Sequence, residues 1–347
     1  MMKIAIHDRP GSFSDAWIEY CKRNNFPFKI VNAYSSDIID QLYDCNILMW
    51  HHHHGNYRDT LFAKQLLYSL QISGKKVFPD FNTGWHFDDK VGQKYMLEAI
   101  GAPLVSSYVF YDKKEALDWV KKTSFPKVFK LRGGAGAANV KLLRSKSDAR
   151  YVINKSFGRG ISQFNKWNNL KEKWIRYRRG RDGFLEVLKG IGRIFINTEF
   201  GKMRSPEKGY VYFQDFIPGR KVDYRLQFVG KRCWAMIRKV RENDFRASGS
   251  DNMIFDKNQI PNQMLDIAYD IVDKLSLQSA AFDFLIDDNS NILLIEISYG
   301  FGVDKEIREG EIFVDEFAHG YWDENKLWHD EVFDPQVWMI QNIINQN

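Results

Sequence analysis

Ala280-Ala-Phe-Asp-Phe-Leu-Ile-Asp287 and Asn291-Ile-Leu-Leu-Ile-Glu-Ile-Ser298 are two strongly apolar runs separated by Asp288, Asn289 and Ser290. Turn-forming residues between runs of strand formers predict a hairpin. With the turn centred between Asn289 and Ser290, Asp283 falls directly opposite Glu296, with Cβ atoms about 5 Å apart. Flanked by Phe282, Phe284, Ile295 and Ile297, two such carboxylates repel and lose hydration unless a cation lies between them. Oxygen ligands of this kind suit Mg²⁺ shared with nucleotide phosphates. For an isolated pair the plainer explanation is a solvated sheet edge, so the weight falls on what lies upstream.

Upstream, Phe125-Pro-Lys-Val-Phe-Lys-Leu-Arg-Gly-Gly-Ala-Gly-Ala-Ala-Asn139 ends a strand at Lys130 and follows it with Gly133, Gly134 and Gly136. Glycines let a loop bring its N–H groups close to phosphate oxygens. Neither the Walker pattern nor the dinucleotide fingerprint fits, because no helix is entered after the loop. Further on, Gln214-Asp-Phe-Ile217 leaves a strand into a Pro-Gly turn, where backbone groups can read an adenine edge. Asp223 and Arg225, two apart, share one strand face, and Asp223 is an acceptor for ribose hydroxyls. Arg238, Arg241 and Arg246 follow, suited to bidentate phosphate contacts.

Taken in order, Lys90 at a helix start, Lys130 before a glycine loop, Gln-x-Phe-Ile, Asp-x-Arg and an Asp…Glu-x-Ser hairpin resemble the ATP-grasp superfamily. The stretch Gln214–Arg246 is most similar to the RimK-type peptide and amino-acid ligases, and the resemblance covers about 88–302. It implies an α/β (α+β) chain with the ATP-grasp fold and a Rossmann-like parallel α/β domain at the N-terminus. The divisions it suggests are 1–85 for that domain, 86–302 for the ATP-grasp domain, and an acidic, aromatic segment at 303–347 that packs on the core. It further implies that Lys90 and Lys130 hold phosphates under the loop Gly133–Gly136, while Gln214, Asp215, Phe216 and Ile217 contact adenine and Asp223 the ribose. Asp283, Glu296 and Ser298 would bind Mg²⁺, with Mn²⁺ an alternative, and Arg238, Lys130 and Arg225 would serve catalysis. The reaction implied is ATP-dependent activation of a carboxylate as an acyl phosphate, which an amine attacks to give an amide-type bond. Dimers are common in the superfamily. Two departures stand out: Glu296-Ile-Ser298 replaces Glu-x-Asn, and Arg246-Ala-Ser-Gly-Ser250 lacks the Asn that usually follows Phe-Arg-Ala.

The first part of the chain alternates strand and helix signals from Lys3 to Phe78, which predicts a parallel sheet wrapped by helices. Trp50-His-His-His-His-Gly55 lies after one of those strands, where ligand loops usually sit. Its histidines are read either as exposed loop residues or as substrate contacts. Metal binding lacks the ligand spacing it needs.

Charge is unevenly distributed. Residues 155–209 carry 14 Lys and Arg against 5 Asp and Glu, a net +9, whereas 303–347 carry 3 against 11, a net −8. The basic insertion has two further readings. One is a nucleic-acid surface, with Trp167, Trp174 and Tyr177 among Lys171, Lys173, Arg176, Arg178, Arg179 and Arg181; this ranks below the ligase. The other is a seat for an anionic acceptor, such as a uronic-acid glycan, at a membrane surface. An ATP-binding protein without catalysis, acting in regulation or as a scaffold, is the remaining alternative. The widely spaced Cys21, Cys45 and Cys233 and the lack of a long apolar stretch argue for a reduced, cytoplasmic setting.

Overall fold

The computed structural model describes residues 2–133, 140–163, 203, 205–219, 221–240, 253–302, 305–308, 311–314 and 320–346. The N-terminal alternation forms four parallel strands, β1 (Ile4–His7), β2 (Phe28–Val31), β3 (Ile47–Met49) and β4 (Lys76–Phe78), in the order β2-β1-β3-β4. Helices α1 (Phe13–Arg23), α2 (Ile38–Gln41) and α3 (Tyr57–Ile72) connect them. Ser12 and Asn56 cap α1 and α3, each accepting a backbone N–H through its side chain. Both sheet faces are covered, as a parallel sheet requires. Ile4, Ile6, Ile47, Met49 and Phe78 pack towards α1, while Ala5, Val31, Leu48 and Val77 pack towards α3.

After α4 (Phe81–Gly84) and α5 (Lys90–Ala99) comes a four-stranded antiparallel sheet. Its strands β5 (Ser107–Phe110), β6 (Lys127–Lys130), β7 (Lys141–Leu143) and β8 (Val211–Asp215) lie in the order β5-β8-β6-β7. Helices α6 (Lys113–Lys122) and α7 (Lys146–Ser156) share a core with Phe110, Phe129, Val211 and Phe213. Helix α7 begins with a capping box in which Ser145 and Asp148 satisfy each other's backbone N–H.

The third sheet contains β9 (Val222–Val229), β10 (Arg232–Lys239), β11 (Met253–Ile254), β12 (Ser279–Ile286) and β13 (Ile292–Ser298). A separate hairpin joins β14 (Lys305–Arg308) to β15 (Glu311–Val314). The third sheet is completed by β16 (Tyr321–Trp322) and β17 (Trp328–His329), giving β13-β12-β9-β10-β16-β17 with β11 also on β10. Helix α8 (Asn262–Leu275) buries one face, packing Met264, Leu265, Ala268 and Val272 with Phe228, Phe282, Phe284, Leu294 and Ile297. Helix α9 (Pro335–Asn345) starts at an Asp334 cap followed by proline and contacts α1 and β4. Its Trp338 stacks on Phe333 and meets Trp234 and Tyr321 edge-on.

The β12–β13 hairpin pairs Asp283 with Glu296, but not by the expected route. Ile286 faces Ile292 and Phe284 faces Leu294, so the turn centres on Asn289. Continued without interruption, that register would put Ile295 opposite Asp283 and turn Glu296 to the other face. A β-bulge between Asp283 and Phe284 leaves Ile295 as the extra residue and returns Glu296 to the face of Asp283.

Candidate active site

Alternation along four adjacent strands gathers the charges. Asp283 on β12 is paired in register with both Glu296 on β13 and Arg225 on β9, and Asp223 on β9 is paired with Arg238 on β10. Directly opposed residues share a face, so all five lie on the side of the sheet away from α8. Arg225 binds Asp283 bidentately, Nε to Oδ1 at 2.8 Å and Nη2 to Oδ2 at 2.9 Å. Arg238 binds Asp223 in the same way, both contacts at 2.7 Å, and its Nη2 also lies 3.0 Å from Asp283 Oδ1. The result is a chain Asp223–Arg238–Asp283–Arg225 of alternating sign.

Burial shapes this chain unevenly. Desolvation would raise Asp283, but Arg225 and Arg238 outweigh it and hold the carboxyl well below the usual range. Asp223 is pushed up to about 6 by burial and by Asp283, against the pull of Arg238. Burial works against the charge of Arg238, yet the two carboxylates more than compensate and hold it firmly protonated. The Arg225 side chain keeps 25% of its surface exposed, against 6% for Arg238, so Arg225 is the arginine open to a ligand.

Two lysines arrive from other elements. Lys90 starts α5, which Asp89 caps by accepting from Gly92 N, and its Nζ lies 3.9 Å from Glu296 Oε2. Lys130 ends β6 and is 5% exposed. Burial pulls it down to about 8, with Lys90 acting in the same direction and Glu296 and Asp283 opposing. Those influences put Lys130, Lys90, Glu296 and Asp283 in one electrostatic environment. Lys90 N also donates to Arg132 O at 2.9 Å, which joins the helix start to the chain just beyond Lys130. With every group ionised, four cations meet three carboxylates, so the cluster is a positive site and fits a polyanion.

The remaining residues expected from sequence are placed as follows. Ser298 shares the face of Glu296, and its Oγ donates to Gly300 O at 2.7 Å. Gly133 lies against Asp88 and Gln163; a Cβ there would meet Gln163 Nε2 at 2.7 Å and Asp88 Oδ2 at 3.0 Å. Gly134, Gly136, Arg241 and Arg246 lie outside the described residues, as does most of 155–209. Gln214 is buried, with its side-chain amide donating to Ser107 Oγ at 3.1 Å and Ile295 O at 3.4 Å. Asp215 is paired with Lys127 at 2.5 Å, and Phe216 and Ile217 are half-buried. Asp223, read as a ribose ligand, has both oxygens engaged by Arg238.

An ionised carboxylate offers about four lone-pair positions. Arg225 and Arg238 occupy three on Asp283, leaving one, while Glu296 is partly exposed beside Lys90. Hard oxygen donors from Asp283, Glu296 and Ser298 on one face fit a Mg²⁺ ion that arrives with phosphate oxygens of its own.

The histidine loop is not the exposed loop that its composition suggests. His51 stacks on Phe13 with centroids 3.7 Å apart, and its Nδ1 meets Arg9 Nη2 at 3.1 Å. His52 is buried beside Phe87 and Tyr299, and its carbonyl accepts from the Tyr299 hydroxyl. The backbone N–H of His53 donates to buried Asp59 at 2.6 Å. The loop thus connects the parallel sheet to the segment after Ser298. No group of three or more His, Cys, Asp or Glu side chains placed to hold a metal ion occurs among the described residues, so the loop's histidines form no such set. Beside it, a cavity of about 430 Å³ is lined by His52, His54, Lys64, Asp88, Arg132 and Gly133, among others. Sequence reasoning missed Gln93, which is buried on α5 and bonded to Ile297; its place three residues after Lys90 was the available signal.

Comparison with known proteins identifies the fold. The model of the RimK-like ATP-grasp domain family matches residues 196–316. A RimK domain ATP-grasp protein from Sphaerobacter thermophilus has a similar structure, with TM-score 0.51, 14% identity, and 85% of this chain and 90% of that one covered. D-alanine–D-alanine ligase from Bacillus anthracis has TM-score 0.53 and 12% identity, covering 86% of this chain and 87% of that one. The biotin carboxylase domain of Hydrogenobacter thermophilus 2-oxoglutarate carboxylase, solved with MgADP, has TM-score 0.57 and 11% identity, covering 99% of this chain and 70% of that one. No curated protein matches the chain. The fold is therefore the ATP-grasp fold. The segment 196–316 is similar to the RimK-like ATP-grasp domains.

Proposed function

We propose that the chain is an ATP-dependent carboxylate–amine ligase that forms an amide-type bond through an acyl phosphate. The observation that carries this reading is the convergence of Lys90, Lys130, Arg225 and Arg238 on the Asp283–Glu296 pair. A carboxylate oxygen attacks the γ-phosphorus and ADP leaves; an amine then attacks the acyl carbon, phosphate leaves, and the amine gives up a proton. Both steps gather negative charge that fixed cations can neutralise, so alignment and electrostatics supply most of the acceleration.

In this reading Lys90 and Lys130 hold nucleotide phosphates, and Gly133, Gly134 and Gly136 belong to the loop that covers them. Gln214, Asp215, Phe216 and Ile217 form the segment beside adenine, contributing backbone groups, since the side chains of Gln214 and Asp215 are engaged elsewhere. Arg225 faces the transferring phosphate. Asp223 is assigned to orienting Arg238 rather than to the ribose, because its two oxygens hold that guanidinium. Asp283, Glu296 and Ser298 would hold Mg²⁺, which when bound screens the phosphate oxygens. Similarity to ligases such as D-alanine–D-alanine ligase supports the reaction class. A uronic-acid glycan as substrate rests only on the basic character of 155–209, so the proposal extends to a carboxylate and an amine and no further.

The test is ADP release against panels of carboxylates and amines, with D283N and E296Q alongside. Loss of turnover by about 100-fold or more in both variants is expected. Turnover equal to that of the parent in both removes the metal assignment, and saturable ATP binding without ADP release for any pair favours a non-catalytic nucleotide-binding protein.

A further inference from the structure

Among the described residues β13 is an edge strand, so the outward N–H and C=O groups along it have no neighbouring strand there. Those from Leu294 to Ile297 are taken up individually. Leu294 N donates to Pro103 O at 2.8 Å, and Leu294 O accepts from Val105 N at 2.9 Å. Ile295 O, at the extra residue of the bulge, accepts from Gln214 Nε2. Ile297 is held at both ends by one side chain: its O accepts from Gln93 Nε2 at 2.7 Å and its N donates to Gln93 Oε1 at 3.3 Å. Glu296 sits between these two amide contacts.

Gln93 is 6% exposed, and its Nε2 also donates to His86 O at 3.0 Å. It lies three residues beyond Lys90 on α5, on the same side of the helix. The gap bridged by its amide is the gap across which Lys90 Nζ faces Glu296 Oε2 at 3.9 Å.

We propose that Gln93 is a positioning residue: by clamping the N–H and C=O of Ile297 it fixes Glu296 against Lys90 and so sets the metal–phosphate geometry of the site. The proposal rests on the reading that Glu296 faces a metal-bound nucleotide. Packing alone does not account for Gln93, because an apolar side chain of equal length would fill the same space and leave Ile297 N and O without partners.

The test uses the full chain and two substitutions, Q93M and Q93E, with Mg²⁺ titrated into protein plus ATP and followed by calorimetry. Residues that orient metal ligands from behind typically change metal affinity by about 10–100-fold, so Q93M should raise the Mg²⁺ half-saturation roughly tenfold while metal-free ATP affinity stays within about twofold. An ionised Glu can only accept, whereas its protonated form both donates and accepts as Gln does. The deficit of Q93E relative to the parent should therefore narrow as pH falls, which a space-filling role would not produce.

An unchanged Mg²⁺ half-saturation in folded Q93M overturns the proposal. If Q93M fails to fold, the decision passes to Q93E, and a deficit independent of pH overturns it. If the parent protein binds no Mg·ATP, the nucleotide reading fails separately, and a crystal structure of Q93M still decides positioning. A Lys90–Glu296 separation widened by more than about 1 Å supports the clamp, since displacements of that size matter to site geometry; an unchanged separation ends it.

Discussion

The two faces of the seven-stranded sheet are built from alternate residues of the same strands, yet they are specified in different ways. On one, Leu226, Phe228, Phe282, Phe284, Leu294 and Ile297 meet α8, and volume decides what fits. On the other, Asp223, Arg225, Arg238, Asp283 and Glu296 are fixed by which charge stands opposite which. Volume tolerates exchange among similar side chains, whereas a buried charge tolerates almost nothing once its partner is gone. The bulge at Ile295 reconciles the two on β13, keeping Leu294 and Ile297 in the core while Glu296 joins the acids.

The strongest way to break this contrast is D283N. It keeps the shape of the side chain but leaves Arg225 and Arg238 facing a neutral amide, and removing one partner of a buried pair costs about 3–5 kcal/mol. Urea denaturation should show that loss near neutral pH. Asp283 has its pKa depressed in the folded protein, so its contribution is fully present above the ordinary carboxylate range and is lost as pH falls through the lower folded value. Parent and variant stabilities should therefore converge in acid. Parallel curves at every pH would mean that the network contributes shape and not charge.

L226A probes the opposite face one residue from Arg225. Leu226 is fully buried, and its truncation should cost about 2–5 kcal/mol. The loss should not depend on pH in the way D283N does, and the folded protein should bind ATP with the affinity of the parent. A matching acid convergence, or lost nucleotide binding in folded protein, would show that the faces are not separable.

Much of this division could be read from the chain because period-two alternation is a local property. Asp283 between Phe282 and Phe284 announces two faces without any knowledge of the fold, and counting across a turn centred between Asn289 and Ser290 led to the pairing with Glu296, which the structure reaches instead through a turn on Asn289 and a bulge. The bulge could not be read, since an odd residue such as Ile295 costs little locally and is chosen by what the edge strand must meet. The coupling of Arg238 to Asp223 was equally hidden: spacing places Asp223 and Arg225 on one face but does not say that the Asp223 carboxylate is held by Arg238, from the next strand, before any ribose arrives. The histidine loop misled for a related reason. Four polar rings suggest exposure, and only Phe13, Phe87 and Tyr299, distant in sequence, make a buried setting for His51 and His52.

Between the strands and the lysines the contrast becomes one of permanence. The arginines stay charged throughout, while Lys130, lowered to about 8, does not. Phosphate favours the protonated amine, so ATP affinity should be level below about pH 8 and fall above it by up to about tenfold per unit. K130R should flatten that decline. In the empty protein the sign reverses: between about 8 and the unfolded value of 10.5 the unfolded chain holds the extra proton, so stability rises with pH across that window. An ATP affinity that is flat through pH 9 would place Lys130 away from the phosphates.

The smallest expected effect concerns Ser298, where the chain departs from the Glu-x-Asn pattern. Its hydroxyl donates to Gly300 O and is too short to reach as far over the acidic pair as an amide would. S298N supplies a longer carbonyl donor on the same face, and one added hydrogen-bond-strength contact is worth about 0.5–1.5 kcal/mol, so Mg²⁺ half-saturation should fall by a few fold. The opposite result would be as instructive. If S298N weakens metal binding, the bond to Gly300 is what the site needs, because Gly300 packs against His51 and a disturbed turn there would loosen the junction between the parallel sheet and the acidic strand.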